Sequence, residues 1–222
     1  MAIKPECAKC SGPVCLSPDK EGPNEFCPTK IKKEVIQKAV DKTLAEFKEF
    51  ARCSSIQEGQ GYLRLPFAPK GPSPVKTRLE EIVEFSKKMG YKRLGVAFCG
   101  GVHEHAVRLV DILERKGFDI VSVCCKCGAF SKQTIGVKRE EQVTPERGES
   151  MCNPIAQAEI LNSESTDFNI MLCLCVGHDS LFLKHSKALC TVFAVKDRAL
   201  AHNPLGALWT SHDYYRRLLS RE

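Results

Sequence analysis

Four short apolar runs in the second half of the chain set its reading. They are "KRLGVAFC" (92–99), "FDIVSVCC" (118–125), "FNIMLCLC" (168–175) and "ALCTVFAV" (188–195). Each is nearly continuous in hydrophobicity, as a strand buried on both faces requires. Between them the spacing changes to that of helices, in "VHEHAVRLVDILERKG", "NPIAQAEILNS" and "SLFLKHSK". A last helical pattern, "NPLGALWTSHDYYRRLLS", closes the chain. Strands alternating with helices predict βαβ units, and so an α/β fold: an open, Rossmann-like parallel sheet of about four strands with helices on both faces. The polar stretch "GVKREEQVTPERGESM" interrupts the second unit and predicts a surface loop or lid.

The first third of the chain is patterned differently. "VKTRLEEIVEFSKKMG" has helical spacing, with Gly90 as its C-cap. Upstream, Ile31, Val35, Ala39, Leu44, Phe47 and Ala51 recur at helical intervals and predict one amphipathic packing helix. Residues 54–75 read as an irregular Gly- and Pro-rich connection. Residues 1–30 carry few apolar positions and cannot bury enough surface to fold alone. The expected organisation is a cysteine-rich metal-binding segment (1–30), an amphipathic helix and linker (31–75), and an α/β metal-binding domain (76–222).

Composition changes this picture in one respect. The chain of 222 residues holds 13 cysteines, an odd number. No secretory h-region opens the sequence and no apolar run has the length of a membrane span, so the expected compartment is the reducing cytoplasm. There, metal binding or redox chemistry explains the cysteines better than a disulfide framework does. The net charge of +6 is too small and too scattered to point to nucleic acid.

The cysteines fall in two groups. Cys7, Cys10, Cys15 and Cys27 run Cys-x2-Cys-x4-Cys-x11-Cys-Pro, enough thiolates for a tetrahedral shell. Zinc and a second iron–sulfur cluster both remain open there. The second group collects at the carboxyl ends of the predicted strands, where open parallel sheets bind ligands. Cys99 ends the first strand, and Cys124, Cys125 and Cys127 end the second. Cys173 and Cys175 end the third and share a strand face, Cys175 lying nearer the loop. Cys152 opens the helix in between, before Asn153 as N-cap and Pro154 as first helical residue. Cys53 and Cys190 read as packed thiols.

The segments "MCNPIAQAEILN", "CVGHDSLFLKHSKA" and "VKDRALAHNPLGAL", with the N-terminal Cys-x2-Cys and the "FCGG" turn, carry a resemblance over nearly the whole chain. It is to an uncharacterised, cysteine-rich prokaryotic family, a domain of unknown function described as predicted metal-binding proteins. The resemblance implies Cys99, Cys125, Cys152 and Cys175 as the family's positions and leaves Cys124, Cys127, Cys173 and Cys190 as additions. The topology also selects one cysteine per segment.

A thiolate set spread over four loops suits an iron–sulfur cluster in a pocket, with [4Fe–4S] the leading expectation. His178 directly follows Cys175-Val176-Gly177 and is the expected catalytic proton donor or a ligand. Lys196, Asp197, Arg198, His202 and Asn203 reach the same edge, with Asp197–Arg198 readable as an ion pair and Asn203 as an N-cap. The expected function is redox or sulfur-handling chemistry on a small molecule. The alternative is a non-catalytic zinc or iron–sulfur module: an electron carrier with its transfer partner, a metal-trafficking protein or a sensor. A thiol–disulfide enzyme is disfavoured, because Cys125 and Cys127 are separated by Lys126 alone.

Overall fold

The alternating pattern becomes a four-stranded parallel sheet. The computed structural model describes residues 3–12, 14–18, 20, 22–63 and 71–220. The chain divides into two compact units, 1–60 and 61–222.

In the first unit, Pro28–Ile31 (α1), Lys33–Glu46 (α2) and Lys48–Gln60 (α3) follow two 3-10 turns at Cys7–Lys9 and Val14–Leu16. The single predicted helix is thus two. The backbone leaves the helical region at Phe47, where φ is −130° and ψ 16°. α3 then runs to Gln60 through residues expected to be irregular, since only Gly59 in that stretch disfavours helix. The apolar stripe of α2 is not a packing face in this unit: Val35, Ile36, Val40, Leu44 and Phe47 are all exposed.

The second unit opens with a short antiparallel ladder, Tyr62–Leu63 (β1) with Ser73–Pro74 (β2). The predicted connection between them falls, over 64–70, outside the described residues. Arg78–Lys88 (α4) follows, held by a capping box between Thr77 and Glu80. The strands are Arg93–Phe98 (β3), Asp119–Cys124 (β4), Phe168–Leu172 (β5) and Cys190–Ala194 (β6). Their connecting helices are His103–Arg115 (α5), Pro154–Ser163 (α6) and His178–His185 (α7). The strand order is β4-β3-β5-β6. Because β3 lies between β4 and β5, the chain winds outward in both directions, and right-handed crossovers put α5 on the face opposite α6 and α7. Leu94, Val96, Ala97, Ile170 and Met171 form the buried centre.

Register decides what meets at the carboxyl edge. Phe98 pairs with Cys124 on one side and Leu172 on the other, and Leu172 pairs with Ala194. Cys125, Cys99 and Cys173 therefore leave three adjacent strands at one level. β5 ends at Leu172, earlier than predicted. Cys173 takes a φ of +56° and turns the chain, so Cys173 and Cys175 lie beyond the pleat and do not share a strand face.

The C-terminal helix is also shorter than predicted, only Leu205–Trp209 (α8). Beyond it the Thr210 and Ser211 hydroxyls donate back to the carbonyls of Gly206 and Leu208. Such side chains compete with the helical ladder. Asn203 is not the N-cap of α8; Pro204 holds that position. Among the described residues no helix is long and apolar enough to cross a membrane.

Candidate metal centres

The sheet edge gathers three cysteines from three segments. Cys99 follows β3, Cys125 follows β4, and Cys152 precedes α6. Cys152 Sγ lies 3.7 Å from Cys125 Sγ, and Cys99 is hydrogen-bonded to Cys125 from the other side. The Gly100 N–H also donates to Cys125 Sγ at 3.4 Å. Cys125 is only 2% exposed.

The long insertion is what delivers Cys152. Ser131 and Ser150 form an antiparallel bridge, and Met151 N–H donates to Phe130 O at 2.7 Å. Lys132 pairs with Glu149, whose other oxygen accepts from the Thr144 N–H and hydroxyl at 2.7 and 2.8 Å. Asn153 N–H then donates to Cys125 O at 2.8 Å, closing the loop onto the end of β4. The predicted cap is present, with the Asn153 side chain accepting from Ala156 N–H and Pro154 opening α6.

The three thiols do not titrate alike. Hydrogen bonding to Cys125 holds Cys99 down at about 4, helped by the Gly101 N–H and Lys196 and opposed by burial. The same partner holds Cys152 at about 5, with Lys126 and His178 adding to the effect. Cys125 moves the opposite way, because its two neighbours and its burial keep its proton in place. Two thiolates around one shared thiol is a strongly electron-donating set, suited to soft metals.

Each outer sulfur has its own cation. Lys196 reaches Cys99 beside the Gly101 backbone, whose N–H also bonds the Cys99 sulfur. Lys126 is hydrogen-bonded to Cys152 and also donates to Ser150 O at 2.5 Å. Arg198 Nη2 donates to Cys175 Sγ at 3.2 Å. Arg198 is therefore not paired with Asp197, whose carboxylate instead accepts from the N–H groups of Ala199 and Leu200.

Cys175 stands at the same edge but apart from the bonded trio, with Val176 beside it 93% exposed. His178 is half-buried at the start of α7, its N–H bonded to Cys175 O at 3.0 Å. Cys173 is buried between the groups, its thiol pushed up by desolvation. Burial likewise raises Cys127, and Cys124 is half-buried against Gly100. Cys190 sits at the start of β6, the far edge. Among the described residues no group of three or more His, Cys, Asp or Glu side chains is placed to hold a metal ion.

Two residues here escaped sequence reasoning. Lys126 sits between cysteines and read as a spacer. Gln157, fully buried on α6, donates through Nε2 to Phe98 O at 3.2 Å and Val123 O at 2.7 Å. Those carbonyls belong to the strand ends that carry Cys99 and Cys125. An uncharged amide on a predicted helix gives no pattern by which to find it.

In the first unit, Cys7, Cys10, Cys15 and Cys27 line one small cavity of about 70 Å³. Cys10 is tied by Asn24 Nδ2 to its sulfur at 3.4 Å. Cys27 is the buried member, at the N-cap of α1 with Pro28 following. Its thiol is lowered, chiefly by the Thr29 hydroxyl and then by backbone N–H groups. Gly22 is required opposite it, because a Cβ there would come within 2.6 Å of Cys27 Sγ. All four predicted ligands thus share one pocket.

Two comparisons with known proteins bear on the chain. Residues 27–193 match the family described as "Protein of unknown function (DUF1847)". The chain is 41% identical over 214 residues to the "Uncharacterized protein MJ0455" of Methanocaldococcus jannaschii, covering 96% of this chain and 98% of that protein. With a match over most of its length and a full-length relative at that identity, the chain belongs to the DUF1847 family of proteins of unknown function.

Proposed function

We propose that the chain is a two-centre metal-binding protein of a reducing compartment: an iron–sulfur cluster at the sheet edge, and a single zinc ion in the N-terminal cavity. The observation that carries this reading is the convergence of Cys99, Cys125 and Cys152 from three segments, each outer thiolate facing a cation. The donor set fits: soft thiolates, N–H groups from the Cys99–Gly101 turn, and lysines that offset negative charge. The N-terminal set fits a tetrahedral ion, with four thiols around a small cavity.

A cluster bound there would supply electron-transfer chemistry and a place for a substrate to bind. Cys99, Cys125 and Cys152 would hold it. Lys196 and Lys126 lower the cost of gathering the thiolates. Arg198, anchored on Cys175, presents a cation to an anionic or sulfur-bearing substrate, and His178 is placed to move a proton. This favours redox or sulfur-handling chemistry over a fully ligated electron carrier, metal carrier or sensor, because Cys175 is engaged by Arg198 and not by the other thiols.

The test is anaerobic purification followed by iron, zinc and acid-labile sulfide analysis with an absorption spectrum. Iron, sulfide and broad visible absorption are expected together with one zinc. Cys99→Ala, Cys125→Ala and Cys152→Ala should each remove iron and sulfide, while Cys175→Ala keeps them. Colourless protein with zinc and no labile sulfide would sink the cluster. Loss of iron in Cys175→Ala as well would instead establish the fully ligated, non-catalytic centre.

A further inference from the structure

A second cavity, of about 360 Å³, lies on the α5 face of the sheet at the carboxyl ends of β5 and β6. Its volume falls in the range of small-molecule sites, roughly 300–1,000 Å³. Leu172 and Cys173 of one strand end, and Phe193 and Ala194 of the other, form its floor. Leu109 and Ile112 of α5 form an apolar wall. The polar lining residues are His105, Arg108 and His202, and none of the lining residues is acidic.

These polar groups are arranged toward the cavity. Arg108 and His105 are exposed on α5 and have no ion-pair partner among the described residues. His202 is fixed by its own loop. The Asp197 N–H donates to His202 Nδ1 at 3.1 Å, and His202 N–H donates to Asp197 O at 2.8 Å. Nδ1 is therefore an acceptor, and Nε2 carries the ring proton as a donor. Holding the ring this way needs two consecutive left-handed residues, Ala201 at φ 49° and His202 at φ 66°. Such backbone is strained for residues with a side chain and collects at ligand clamps.

We infer that this cavity binds a small carboxylate with an unbranched apolar body. The body lies between Leu109 and Phe193, and the carboxylate meets Arg108 with Nε2 of His202 beside it. The inference goes beyond the thiol-centre reading and needs no metal. The two features share one wall residue: Cys173 lines the cavity floor and also lies close enough to Cys99 and Cys175 for their charges to act on it.

The experiment is calorimetric titration of the full-length reduced protein with hexanoate and with 1-hexanol. Hexanoate should bind saturably at one site and more tightly than hexanol. Arg108→Ala should weaken hexanoate about tenfold, the size of one charge-assisted hydrogen bond, and leave hexanol unchanged. Ala194→Phe, or the milder Ala194→Leu, should remove both ligands by filling the floor, with folding checked by circular dichroism. Absence of saturable hexanoate binding at millimolar concentrations would overturn the site. Equal affinity for hexanol would overturn the anion preference. Undiminished hexanoate binding in folded Ala194 variants would place any binding elsewhere. Because no arm depends on bound iron, these outcomes separate from failure of the cluster.

Discussion

At the residue scale, Gln157 couples the core to the thiol centre. β3 and β4 end side by side under α6, and carbonyls near both ends accept from one side chain of that helix. One amide nitrogen serves two of them, those of Phe98 and Val123. Replacing it by Leu keeps the volume but removes a donor from these carbonyls, of which Phe98 O still accepts from the Cys125 N–H at 2.8 Å, at a cost of about 1 kcal/mol. Gln157→Leu should therefore lower the denaturation midpoint. It should also loosen the spacing of Cys99 and Cys125, reducing iron retention under mild chelation. Ala158→Gly, which weakens the same helix by about 1 kcal/mol of propensity and removes a buried methyl without touching those carbonyls, is the control. Equal iron loss in both at matched stability would reduce Gln157 to a packing role. The cysteines of the site were legible because register and chain order fix where a strand ends. Gln157 and Lys126 were not, because a hydrogen bond from an isolated amide or amine has no sequence period.

At the scale of elements, the four strands were legible because burial on both faces leaves little choice but Val, Ile, Leu, Phe and small residues. The insertion between β4 and α6 was not, because its order comes from a few backbone bonds across the loop and one cross-loop carboxylate, neither of which has a sequence period. Lys132 and then Thr144 hold the Glu149 carboxyl near 2, against an ordinary value of 4.5. A carboxyl depressed on folding stabilises above its unfolded pKa, and the contribution is lost as pH falls through the folded value. The loop should therefore loosen between pH 4.5 and 2. Hydrogen exchange or limited proteolysis across 131–150 checks this, and Glu149→Gln should weaken the loop at neutral pH while removing the acid step. If the acid step persisted in Glu149→Gln, another group would control the loop. Because the loop carries Cys152 to Cys125, the same substitution should reduce metal retention at neutral pH.

At the scale of the whole molecule, the two units rest on different sources of stability. The second unit has a sheet core in which Leu94, Val96, Ala97, Ile170 and Leu161 are fully buried. Among the described residues of the first unit, burial is confined to Gly22, Cys27, Cys53 and Gln57, and no residue of α2 is buried. Sequence reasoning anticipated this for 1–30, since its composition cannot supply a core. It did not anticipate that the apolar stripe of α2 would stay exposed, because periodicity shows a face without showing what covers it. Four cysteines line one cavity there, and in the proposed reading their ligation of a metal would supply the order that a core does not. Chelator treatment under reducing, anaerobic conditions should remove amide protection from Cys10 to Ile31, whose turns the Cys7–Cys27 set ties together. The amides of β3 to β6 should keep theirs. Cys27→Ser should reproduce the loss without chelator, since Cys27 is the buried member of the proposed ligand set, at the start of α1. Full protection of the N-terminal turns after zinc removal would mean that their order does not depend on the metal.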